Sequence, residues 1–202
     1  MTTPDTQTMR HLQQENIRLK SENNSLRDYV ERLQRALRAL VDLQHSIENI
    51  NSNTNIFRLI HEVLTSALDA VDSENGSLLL LDEETGELVF VEVIGAAREK
   101  LLNYRLPKGL GVAGWVVKNR QARLVEDARR DPLFTPMVDQ YTGLDTQSLI
   151  CIPLTEGERC LGAIEVVNTR SGRPFVESDK EVMDLIGRLA SVAIVAAEKA
   201  QS

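Results

Sequence analysis

The chain has 202 residues, 42% of them hydrophobic and 26% charged, with a formal net charge of -7. That length buries one good core with some chain left over, and a mildly acidic surface has no electrostatic reason to seek DNA, RNA or an anionic membrane. The start, Met1-Thr-Thr-Pro-Asp-Thr6, lacks a signal pattern, the apolar runs are too short to span a bilayer, and two cysteines make no disulfide framework. A soluble cytoplasmic protein is expected, with neither nucleic acid nor membrane as partner.

Residues 1–8 are expected to be a flexible lead. Leu12, Leu19, Leu26, Leu33, Leu40 and Ile47 then fall at a strict seven-residue spacing. Taken as d positions, they set Met9, Asn16, Asn23, Val30, Leu37 and Gln44 at a. Residues 9–50 are therefore expected to form a parallel two-stranded coiled coil, and the chain a homodimer. The two asparagines at a cost stability but favour an in-register pair, each bonding to its twin. A single amphipathic helix laid back on the rest of the chain is the alternative.

Asn49-Ile-Asn-Ser-Asn-Thr-Asn55 breaks the pattern. Ile56, Leu59, Ile60, Val63, Leu64, Ala67, Leu68 and Val71 repeat at helical spacing, so a second helix is expected. Glu74-Asn-Gly76 leads into a strand Ser77–Asp82, and Glu83-Glu-Thr-Gly86 turns it into a partner strand Leu88–Ile94. Ala96–Tyr104 reads as a short helix, Trp115–Asn119 as another, and Leu124–Glu126 as a short strand. Asp127–Thr135 is a loop turning at Asp131-Pro132. Leu149–Leu154 and Arg159–Asn168 form a hairpin about Glu156-Gly157, Arg170–Pro174 is a loop, and Glu177–Lys199 is a long closing helix. The pattern is that of an α+β domain with a mainly antiparallel sheet.

The stretch most suggestive of a site runs from Val138 to Pro153. On a helix, Asp139, Thr142 and Thr146 would share one face, just before the apolar strand Leu149-Ile-Cys-Ile152, which Pro153 should stop. Apolar walls with a few convergent polar groups are what a small-molecule pocket needs, although a capped turn feeding a core strand fits the same residues. Gly109-x-Gly111-x-x-Gly114 has dinucleotide-fingerprint spacing, but no buried strand directly precedes it. Its better use is as a helix start whose amides near Val112 and Ala113 can receive an anion, with Lys108 helping. His11, His45 and His61 all lie in the N-terminal helices, so none can activate a nucleophile in the sheet domain or complete a metal site. Glu165 interrupts an apolar strand and faces either solvent or a ligand, while Cys151 and Cys160 read as packing residues on neighbouring strands.

Gly111-Val-Ala-Gly114, Val125-Glu-Asp-Ala128, Asp131-Pro-Leu-Phe134, Val138-Asp139, Thr142-Gly143, Thr146, Leu149–Pro153 and Gly162–Asn168 follow in this order. Together they resemble the GAF domain over residues 55–199, and within it the subgroup found in cyclic-nucleotide phosphodiesterases and related bacterial cyclases. The resemblance implies a six-stranded antiparallel sheet flanked by helices, with a ligand pocket on one face. It implies a non-enzymatic sensory module with no covalent cofactor, binding cyclic AMP or cyclic GMP and passing the signal through dimeric helices to an unknown effector protein. The ligand-binding positions it implies are Ser77, Val112, Ala113, Asp139, Thr142, Thr146 and Glu165. Val93 and Ile94 stand where the subgroup carries an aromatic residue and an Asp against the purine.

The subgroup's Asn-Lys…Phe…Asp-Glu signature is incomplete: Asn168, Phe175 and Asp179 are present, but Thr169 and Lys180 replace the Lys and Glu. Arg170 is expected to supply the missing cation to Asp179. Bilin attachment, methionine-sulfoxide reduction and haem binding are set aside because the required Cys or His residues are missing. A ligand-free dimerisation or docking scaffold is the alternative function, and a redox sensor through Cys151 the third. No effector domain is present, so the output is expected to lie on another chain or on a part removed from this one.

Overall fold

The computed structural model describes residues 4–201. Helix α1 (Pro4–Glu48) begins on a proline, whose fixed φ suits the first helical position. The expected flexible lead is thus already helical from residue 4, and its first three residues lie outside the described ones. The polar run after α1 does what its composition requires. Asn55 caps helix α2 (Ile56–Ala70), its side-chain oxygen accepting from the amides of Phe57 and Arg58.

Among the described residues, six strands form one antiparallel sheet: β1 (Ser73–Leu81), β2 (Leu88–Ile94), β3 (Arg105–Leu106), β4 (Arg123–Val125), β5 (Leu149–Glu156) and β6 (Arg159–Thr169), in the order β3-β2-β1-β6-β5-β4. Period-two alternation sends Leu78, Ile150, Ile152, Ile164 and Val166 to one face. There they meet Ile60, Val63 and Leu64 of α2 and Met183, Ile186 and Ala190 of helix α6 (Glu177–Gln201). Leu79, Leu149, Cys151, Ala163 and Val167 take the other face. Short helices α3 (Arg98–Leu101), α4 (Gly111–Asn119) and α5 (Met137–Thr142) lie on that side.

Several local expectations are corrected. The strand expected from Ser77 starts at Ser73, because Gly76 sits in the ladder where a Cβ would meet the Glu165 carbonyl at 2.7 Å. The helix expected over Ala96–Tyr104 shrinks to α3, since Arg105 and Leu106 pair with β2 instead. Strand β5 passes through Pro153 rather than stopping there. Strand β4 pairs only with Leu149–Cys151, so beyond them β5 is an edge, where a missing N–H is tolerated. The β5–β6 hairpin turns on Gly157-Glu158, with Glu156 opposite Arg159. That one-residue shift, with a bulge between Leu154 and Thr155, sets Cys160 against Thr155 and Cys151 against Glu165, so the two thiols, expected to be diagonal neighbours, lie further apart along the hairpin.

The long helix divides in two. Ala36, Ala39 and Leu43 are buried, and Leu40 and Ile47 are packed against α2 and α6, so its last turns fold onto the domain. Leu12, Leu19, Leu26 and Leu33 are exposed. Among the described residues, no helix is long and apolar enough to cross a membrane.

The loop into α6 corrects the expected ion pair. Arg173, not Arg170, holds Asp179, at 2.6 and 3.0 Å, while Arg170 reaches Asp69 at 3.3 Å. Asp179 is buried and also accepts from the Val176 amide. Removing Arg173 therefore leaves a desolvated carboxylate without its cation. Arg173→Ala is expected to lose about 3 kcal/mol in urea unfolding, whereas Arg170→Ala, on an exposed pair, is expected to lose under about 1 kcal/mol.

Candidate functional site

The site is built on a single row of cross-strand partners. Val93, Ser77, Glu165, Cys151 and Arg123 stand side by side on β2, β1, β6, β5 and β4. A β-bulge between Leu78 and Leu79 puts Phe90 on the same face as Val93, three residues away, where strict alternation would have opposed them. Over this row, helices α3, α4 and α5 leave a cavity with about 70 Å³ for the centres of water-sized molecules. A single water needs only ~10–15 Å³ of such space, so the cavity is a real vacancy rather than a packing defect.

Ser77, Val93, Ile94, Val112, Ala113, Asp139, Thr146 and Glu165 all border the cavity. Thr142 does not. Its hydroxyl donates to the Val138 carbonyl at 2.8 Å and accepts from the Leu144 amide at 3.2 Å, closing its own helix. The expected helical face of Asp139, Thr142 and Thr146 is accordingly not formed. Helix α5 ends at Thr142, and Gly143 adopts a left-handed φ of 84° while donating to the Asp139 carbonyl at 2.7 Å. The chain then returns, and Thr146 reaches Asp139 across the turn: its amide donates to the carboxylate at 2.9 Å and its hydroxyl at 2.7 Å.

Two further ties hold this flap. Asn168, in left-handed backbone, accepts from the amides of Gln147 and Ser148 and donates to the Asp145 carbonyl. Lys100 of α3 donates to the carbonyls of Tyr141 and Thr142, a cation at the negative end of α5. Tyr104 and Tyr141 add a ring contact with centroids 5.5 Å apart.

Beside the entry to the flap is the start of α4, where a Cβ on Gly111 would meet the Thr135 methyl carbon at 3.2 Å. Gly109 and Gly111 take left-handed φ angles of 73° and 68°, and a Cβ on Gly114 would meet the Gly109 carbonyl carbon at 2.4 Å. The three spaced glycines thus serve a tight entry into α4 and not a dinucleotide fold. Leu110 caps the helix without a side-chain bond. Among the described residues, the amides of Gly111, Val112 and Ala113 find no acceptor outside the helix. Lys108 is not available to the cavity, since its side chain lies beside Gly86.

The electrostatics are one-sided. Among the described residues, Asp139 and Glu165 are the ionisable groups of the lining, and no Lys, Arg or His joins them. Burial, and then the Asp139 carboxylate, pushes the Glu165 carboxyl up to about 7. Cys151, enclosed beside it, has its thiol held well above the usual range, first by burial and then by Glu165. A thiol so protected makes a poor nucleophile. Phe90, Leu101, Phe134 and Thr135 also border the cavity and were not singled out in the sequence. The motif Asp131-Pro-Leu-Phe134 was the available signal for Phe134, with Thr135 next to it.

The raised Glu165 carboxyl has a consequence for stability. The folded chain binds this proton more tightly than the unfolded chain. Its contribution is fully present below pH 4.5 and is lost as pH rises through 7. Glu165→Gln removes that dependence. At pH 8 the variant is expected to be more stable than the parent by on the order of 3 kcal/mol, with the difference gone at pH 4, as read by denaturant midpoints across pH.

The family model for the GAF domain matches residues 54–195. Among solved structures, the GAF domain of a phosphoenolpyruvate-protein phosphotransferase from Coxiella burnetii aligns at 19% identity and TM-score 0.69, over 82% of this chain and 96% of that one. A methyl-accepting chemotaxis protein fragment, residues 122 to 287, aligns at 22% identity and TM-score 0.65, over 81% and 99%. The free methionine-R-sulfoxide reductase of Neisseria meningitidis, solved with its substrate, aligns at 19% and 0.66, over 82% and 91%.

Proposed function

This chain belongs to the GAF domain family, a family of sensory and signalling modules, and from that premise we propose that it is a non-catalytic sensor whose cavity takes a small ligand. The observation that carries the reading is the vacancy itself, floored by Ser77 and Glu165 and roofed by a flap hung from two hydrogen-bonded clamps. A scaffold would be expected to fill that space with its own side chains. Val93 and Ile94 instead line an open volume, and the half-buried Trp115 is occupied with the Arg123 guanidinium, 5.3 Å from its ring. Catalysis finds little support in the thiols: burial raises both Cys151 and Cys160.

Transmission follows from strand alternation. Ser77 and Glu165 face the cavity, while their neighbours Leu78 and Ile164 pack against α2 and α6. A ligand that shifts β1 or β6 moves those helices, and α1 with them. The exposed leucines of α1, with Asn16 and Asn23 between them, suit pairing with a second copy of the chain.

Cyclic AMP and cyclic GMP are the nucleotide candidates, and the cavity argues for something smaller. Its space falls well below the ~300 Å³ at which drug-sized sites begin. It also brings two carboxylates and no basic side chain toward a phosphate. Isothermal titration with both nucleotides is expected to give heat indistinguishable from buffer. A thermal-shift screen of compact metabolites is expected to raise the midpoint with at least one of them, by mass action. A screen with no response would favour the docking scaffold.

The helix makes a separate prediction. Sedimentation equilibrium of the full chain is expected to give a dimer, and the double variant Leu19→Lys, Leu26→Lys a monomer with unchanged domain circular dichroism. A monomeric parent would remove the pairing.

A further inference from the structure

Among the described residues, the cavity lining includes two sets of polar groups without protein partners. In one, Glu165 presents a carboxylate that accepts no hydrogen bond from the protein. Its cross-strand neighbour Ser77 is only 5% exposed, borders the same space, and has a hydroxyl with no partner there. Asp139 is different, since both its oxygens already accept from Thr146. The other is the start of the nine-residue helix α4, whose Gly111, Val112 and Ala113 amides, among the described residues, lack acceptors beyond the helix. No acidic residue sits in its first turn to neutralise the positive end of the dipole. Much of the remaining lining is apolar, with Phe90, Val93, Leu101, Leu106 and Phe134 among it.

Polar groups that line an apolar cavity and have no protein partner are where a ligand's own polar groups would bind. A carboxylate beside a hydroxyl asks for a cationic donor, and free helix amides ask for an anion. The geometry points to a compact zwitterion as the ligand, with an ammonium held by Glu165 and Ser77, a carboxylate at the start of α4, and a small apolar side chain against the aliphatic and aromatic walls. That is the chemistry of a free amino acid or a close analogue. The inference rests on the sensor reading above and adds the ligand's charge pattern to it. The ammonium must meet an ionised Glu165, so binding releases a proton wherever that carboxyl is still protonated. Affinity therefore rises with pH through neutrality.

The test uses the full chain. The free L-amino acids, their N-acetyl derivatives and their carboxamides are screened by thermal shift, beside cyclic AMP, cyclic GMP and a panel of neutral sugars and carboxylic acids. Positive responses are measured by titration calorimetry. At least one zwitterion is expected to bind, with both capped derivatives at least tenfold weaker and affinity roughly tenfold higher at pH 8 than at pH 6. Glu165→Gln is expected to weaken it at least tenfold while circular dichroism stays unchanged. Ser77→Ala, a gentler change, is expected to weaken it several-fold and guards against misfolding of the first variant. A response to a neutral, anionic or nucleotide compound with none to any zwitterion would overturn the charge pattern and leave the sensor standing. Equal binding of free and N-acetylated forms would overturn it too. No response to any compound, with no small molecule released on denaturing protein purified from cells, would overturn both.

Discussion

Asn168 bears more of this architecture than its half-buried place at the end of β6 suggests. Its left-handed backbone and three side-chain bonds fix residues 145–148 as the chain enters β5. With that entry pinned, Thr146 is set where Asp139 can grip it twice, and α5 must lie over the sheet. The flap, the cavity beneath it and the isolation of Glu165 all follow from those few polar bonds. Met137, Val138 and Leu144 of the same segment pack against the apolar cluster beneath it.

The sheet separates two kinds of chemistry. On the face toward α2 and α6, aliphatic side chains close-pack, with Leu64, Ile164 and Ile186 fully enclosed. On the other face the packing stops short, and a carboxylate and a hydroxyl occupy positions that a well-filled core would give to apolar groups. A chain that leaves a charge-bearing group half-desolvated accepts a loss in stability. Such a loss persists where function uses the group.

The fold was largely legible because its elements declare themselves locally. The heptads, the capped start of α2, the second strand Leu88–Ile94 and the closing helix all follow from periodicity and end signals in the residues. Errors came where tertiary pairing decides. Ser73 joins β1 and Arg105 joins a two-residue strand only because neighbours are there to bond. Pro153 stays in β5 because β4 is too short to need its amide. The site was legible as a set of residues but not as a geometry. Spacing put Asp139, Thr142 and Thr146 on one helix, whereas Gly143 breaks it and a hydrogen bond across the turn reunites two of the three. Arg173 was missed as Asp179's cation because the loop folds back, and no count of positions reveals that.

The divided character of α1 sets how far two chains can run together. Its free apolar stripe holds Leu12, Leu19, Leu26 and Leu33, but the next two members of the series, Leu40 and Ile47, are already packed against the chain's own helices. A pair of such helices would be zipped over its first four heptads and then forced apart like the arms of a Y. The crotch of that fork would fall near Ala36, where α1 is buried against its own domain. Torque applied to either arm would thus be delivered to the stem at a single point.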